Sequence, residues 1–203
     1  MPPNTLYRLA GQAGVVAGIM LLFNTARRVG IVPENTLTHS IAPIAAFLAP
    51  FALIGIYFWQ RERSGALGLW GFALSAVGLV GLAAIEFTLH YVFPLLDKQV
   101  VDRLVDGRTG TGFLFISVLF LTGTVLFGLT LWRAGRFSRP AVILYVVGFV
   151  PTALRAVVPA PVVSIAFVLG SVALAWLSAT LVLAVARIAP NEVSPARIPN
   201  TTG

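Results

Sequence analysis

Apolar residues in this chain fall into long runs broken by short polar or proline-containing stretches. A hydrocarbon core ~30 Å thick is crossed by ~20 helical residues. Six runs meet that length, at about 7–26, 41–60, 66–93, 112–132, 141–158 and 162–187. The breaks carry their own chemistry: Pro33 after the first run, Arg61-Glu62-Arg63 after the second, Pro94 after the third, and Pro159-Ala160-Pro161 before the last. Pro140 stands where a first helical turn accepts a missing N–H. The pattern predicts an all-α polytopic membrane protein, a bundle of six transmembrane helices within residues 1–189. The polar, proline-containing stretch 190–203 reads as a disordered tail. The first run lacks a good small-x-small cleavage pattern and is expected to persist as a helix. Between the third and fourth runs, Val101, Leu104 and Val105 alternate with charges at helical spacing, which predicts a short surface helix.

Composition strengthens this picture. Of the 203 residues 58% are apolar and 10% charged, and the mean hydropathy is +0.91. A water-soluble domain carries about a quarter charged residues, so a soluble enzyme, a disordered chain and a nucleic-acid-binding domain are all excluded. The net charge of +7 comes from basic residues at helix ends, and no block of five like charges occurs. The densest groups, Arg61-Arg63 and Arg133-Arg139, lie in short loops, where positive charge marks the cytoplasmic side. Both termini are therefore expected in the cytoplasm. Trp59, Trp70 and Trp132 gather at that same end as an interfacial belt. Cysteine is absent, which removes disulfides and thiolate chemistry.

Helices in lipid associate through close packing of small residues, so the small residues mark the faces turned inward. At ~100° per residue, Ala10, Gly14, Ala17, Asn24 and Arg28 share one arc of the first helix. Gly71, Ser75, Gly78, Glu86 and His90 share one on the third, and Tyr145, Gly148, Pro151, Thr152 and Arg155 one on the fifth. Polar groups thus look inward, toward the outer half of the bundle. A charge at mid-membrane depth costs about 2.5–3.5 kcal/mol, so Glu86 has to be protonated, paired or wet. Arg155 and Arg28 are its cationic partners and His90 is within i,i+4 reach. Arg27 reads as a snorkelling helix-end residue and His39 as an interfacial one. Phe113, Phe115, Phe120 and Phe127 of the fourth helix face lipid or pack, or else line an apolar pocket.

These positions define the candidate site: Glu86 and His90 as acid or base and proton partner, with Arg155, Arg28, Asn24 and Tyr145 as ligand-binding groups. The favoured function is binding or processing of a lipophilic small molecule in an intramembrane polar pocket. The expected partners are the bilayer and a lipid or isoprenoid-like ligand. One alternative is a proton-coupled transporter or channel, since intramembrane Glu and His are relay groups. Another is a structural or accessory subunit in which the cluster only staples helices. No cofactor motif is present. A metal held by Glu86, His90 and His39, or a haem between the two histidines, lacks a ligand-spacing motif.

The stretch Pro50-Phe51-Ala52-Leu53-Ile54-Gly55-Ile56-Tyr57, with Leu126-Phe127-Gly128, Trp132-Arg133-Ala134-Gly135 and Arg139-Pro140, resembles small, uncharacterised polytopic membrane proteins of actinobacterial type. The resemblance covers helices two to five. It implies a bacterial cytoplasmic membrane and brings no assigned chemistry.

Overall fold

The structure, a computed structural model, describes residues 3–188; the stretch 190–203 read as a tail lies outside the described residues. Every regular element among them is helical. They are α1 (Pro3–Arg28), α2 (Thr36–His39), α3 (Ile41–Phe87), α4 (Lys98–Asp106), α5 (Arg108–Ala134), α6 (Arg139–Ala153) and α7 (Ala160–Ile188). A π-helical turn, Thr88–Val92, and a 3₁₀ turn, Phe93–Leu95, follow α3. Four of the helical stretches are long and apolar enough to cross a membrane.

The longest of these, Leu37–Leu95, runs for 59 residues, yet it is not one rod. Gly65 takes φ 56° and ψ −161°, a region that side-chain-bearing residues scarcely enter. The Tyr57 and Phe72 rings stack 4.3 Å apart, whereas a straight helix would separate those residues by about 22 Å. The chain therefore doubles back at Gly65. The arms 41–64 and 66–87 are the second and third rods predicted from the runs, joined with almost no loop.

Six rods then close a ring, and small residues make the close approaches. Gly55 of the first arm faces Ala10 of α1, and Gly11 and Gly18 of α1 face Val182 and Ala175 of α7. Gly148 of α6 meets Gly170 of α7, and Gly128 of α5 meets Val146 of α6. In the second arm, Gly71 and Gly78 lie against the backbone of Phe127 and Phe120 of α5. Outside the ring, large apolar side chains such as Ile19, Phe51, Val80, Phe115, Ile165 and Leu183 stand exposed.

Three boundaries differ from the hydropathy runs. The fifth rod stops at Ala153 rather than 158. Pro151 supplies no N–H to the last turn, and the N–H groups of Leu154 and Val158 bend back onto the carbonyls of Pro151 and Leu154. The third rod loses regular α geometry at Thr88, where the π turn begins. The fourth starts early, at Arg108, directly after the amphipathic α4 that the Val101, Leu104 and Val105 spacing implies. At the basic end, Arg61 lies over Phe58, Arg136 over Trp59 and Arg139 over Trp132, at 5.7, 5.5 and 5.2 Å from the ring centres.

A Cβ at position 78 would sit 2.6 Å from the Phe120 Cα, which is backbone and cannot swing away. Gly78→Val should therefore cost about 1–3 kcal/mol, whereas Gly112→Ala, with nothing within 4 Å, should leave thermal unfolding in detergent unchanged. Gly65→Ala has equally open space and should still lower stability by about 1–3 kcal/mol through backbone strain alone.

Candidate functional site

The ring encloses a lumen to which every rod contributes. Its wall is mostly apolar, with Ala46, Leu53, Leu82, Phe120, Phe149 and Phe167 among the lining side chains. Along the first arm the lining runs from Ala42 to Ile56, about 21 Å of helical rise. About 80 Å³ is open to the centre of a water molecule. Phe120 and Phe127 thus line the lumen, while Phe115 faces outward and Phe113 packs near Phe93, 6.3 Å between ring centres.

Polar groups gather at one end. Glu86 accepts a hydrogen bond from Arg155 Nη1 at 3.1 Å, with 18% of the acid side chain and 29% of the arginine exposed. Arg28 and Asn24 line the same end. About three turns further in, Tyr145 is buried and lines the lumen. Five of the six residues singled out in the sequence, Asn24, Arg28, Glu86, Tyr145 and Arg155, therefore stand on the wall of one cavity. The sixth, His90, does not line it. Its ring lies behind Glu86, with Nδ1 3.6 Å from Glu86 Oε2.

His90 belongs instead to a network centred on Arg27. That side chain is 5% exposed, so the expectation of a snorkelling residue is corrected: Arg27 points into the protein. Its Nε and Nη2 donate to Asn24 Oδ1 at 3.3 and 3.2 Å, and Nη1 pairs with Glu34. Nη1 also donates to His39 Nδ1 at 3.3 Å and Nη2 to His90 Nε2 at 3.4 Å. A guanidinium has no acceptor, so both of these ring nitrogens are unprotonated. The opposite nitrogens then carry the hydrogens, and each has a carbonyl to receive it. His39 Nε2 donates to the His90 carbonyl at 3.1 Å, and His90 Nδ1 to the Glu86 carbonyl at 2.8 Å. One arginine between two neutral imidazoles ties the end of α1 to α2 and to the π turn after α3.

His39 is thus more than an interfacial residue; its ring lies 4.6 Å from that of His90. That spacing leaves no room for a porphyrin between the two rings. Among the described residues no group of three or more His, Asp or Glu is arranged to hold a metal ion. The signal that could have flagged Arg27 was present, since Asn24 lies three residues before it and Arg28 four after Asn24, both on one helix face. Choosing between the two arginines requires the position of the loop carrying Glu34 and His39, which hydropathy does not supply. No family model matches the chain, and neither does a curated protein or a solved structure.

The neighbouring arginines should separate cleanly in a stability test. Arg27→Gln strands two imidazole acceptors and should lower stability by about 1.5–3 kcal/mol. Arg28 has no hydrogen-bond or ion-pair partner among the described residues. Arg28→Gln should leave the melting temperature in detergent unchanged.

Proposed function

We propose that this is an integral membrane protein whose six rods cross a bacterial cytoplasmic membrane with both termini in the cytoplasm, and whose lumen binds a lipophilic small molecule near the outer leaflet. The apolar side chains standing on the outside of the ring support the membrane reading, because a soluble monomer rarely exposes so much contiguous apolar surface. The stacked arginine and aromatic pairs at the Gly65 end support the orientation.

The observation that carries the ligand reading is the combination of an apolar lumen with charged side chains at one end. Binding sites are concave, mainly apolar and furnished with a few placed polar groups. Binding is better supported than turnover. Glu86 reaches the lumen, but His90, its neighbour at 3.6 Å, stands behind it with both ring nitrogens hydrogen-bonded to other groups, so among the described residues no histidine faces the lumen beside the acid.

A proton relay has weaker support, because the two imidazoles are joined through Arg27, which holds its proton in a protein. A role limited to stapling helices would account for the Glu86–Arg155 pair but not for the lumen or for an arginine at its mouth with no partner among the described residues.

Ala46 lines the lumen and is only half-buried, so Ala46→Phe should fill the passage without overpacking the helix contacts. Protein purified in mild detergent is expected to carry a hydrophobic molecule detectable by mass spectrometry, and Ala46→Phe should lose it while keeping its melting temperature. Equal recovery of that molecule from the variant would sink the proposal.

A further inference from the structure

The ligand class can be narrowed, on the premise that the lumen is a lipophile site. Its shape limits the apolar part. Spreading the 80 Å³ over about 21 Å leaves the centre of a water molecule about 4 Å² of cross-section. Adding back the ~1.4 Å radius of water gives a mean bore of about 2.5 Å radius. A hydrocarbon chain has a radius of about 2 Å, half the separation of carbons in contact. One chain fits and two side by side do not. A fused-ring body is too wide as well.

The mouth limits the head. Two arginines and one glutamate line it, so it carries a net positive charge. Arg155 commits Nη1 to Glu86 and has further N–H groups without a partner among the described residues. Arg28 commits nothing among the described residues. Asn24 is buried, and its carbonyl oxygen is taken twice by Arg27, which leaves only amide N–H groups to offer. The mouth therefore presents donors, and a head made of acceptors with a negative charge complements it. A cationic head would face two guanidinium groups for one carboxylate, and a hydroxyl head would leave most donors unanswered.

The geometry points to a single-chain anionic amphiphile: a carboxylate or phosphate monoester head held at Arg28 and Arg155, and one extended hydrocarbon chain running down the lumen toward Ile56 and Phe127. Arg27, already saturated by Asn24, Glu34 and the two histidines, sets the position of Asn24 and takes no part in the head contact.

The test uses the full-length protein in detergent and binding measured by native mass spectrometry with five probes: palmitate, hexadecyl phosphate, hexadecanol, hexadecylamine and dipalmitoyl phosphatidic acid. Palmitate and hexadecyl phosphate should bind at least about tenfold more tightly than hexadecanol, and the amine and the two-chain acid should bind more weakly still. Whichever of the two anions binds better identifies the head, carboxylate or phosphate. Arg28→Gln should erase about tenfold of the preference for anions over hexadecanol, the scale of one charge-assisted hydrogen bond, with no change in melting temperature. Hexadecanol or hexadecylamine binding as tightly as the anions would overturn the anionic head and leave the lipophile reading intact. Stronger binding of the two-chain acid would overturn the single chain. Failure of all five probes to bind would overturn the lipophile site itself, and this inference with it.

Discussion

Close approach of helix backbones is the constraint on which the structure rests. Six rods with large apolar side chains at their contacts would sit farther apart and enclose an irregular space. Here glycines and alanines occupy the crossings, so that Gly148 meets Gly170 and Gly78 meets the Phe120 backbone. Packing at that distance gathers many weak dispersion contacts and sends the bulky side chains elsewhere. Some go outward, as Phe51 and Ile165 do, and others line the lumen, as Phe120 and Phe149 do. The narrow bore follows from where the small residues are not.

The polar end of the ring shows how one residue of register divides two identical side chains. Arg27 and Arg28 are neighbours about 100° apart on α1. The first is enclosed by Asn24, Glu34, His39 and His90 and serves as a joint between three segments. The second is exposed at the rim of the cavity, without a hydrogen-bond or ion-pair partner among the described residues. Placing a charge inside such a network is costly unless its hydrogen bonds are satisfied, and Arg27 is satisfied on all sides. The second arginine stays outside that network and lines the lumen.

Much of the architecture was legible from the chain alone. The hydropathy runs located six rods because length and apolarity are local properties, and the Val101, Leu104 and Val105 spacing located α4 because a surface helix needs only one apolar stripe. The inward faces were also legible, since small residues and polar groups recur together at helical period. Asn24, Arg28, Glu86, Tyr145 and Arg155 were accordingly placed on one side of their rods, and the cavity wall holds all five. The runs place the end of the fifth rod past Ala153, where proline acts through hydrogen bonds that an average over side-chain polarity does not register; the third continues helically to Leu95 but changes to a π turn at Thr88.

The sequence by itself determined the number of rods, the inward face of the first, third and fifth, and the charged character of one end, because each is set by residues close together along the chain. Only the tertiary structure decided that the rods close into a ring around a mostly apolar lumen, that Gly65 reverses the path with almost no loop, and that Arg27 and not Arg28 binds the histidines. Those outcomes depend on contacts between residues as distant as Arg27 and His90 or Gly11 and Val182. No local pattern encodes them, because which partner a side chain meets is fixed only once every rod has taken its place.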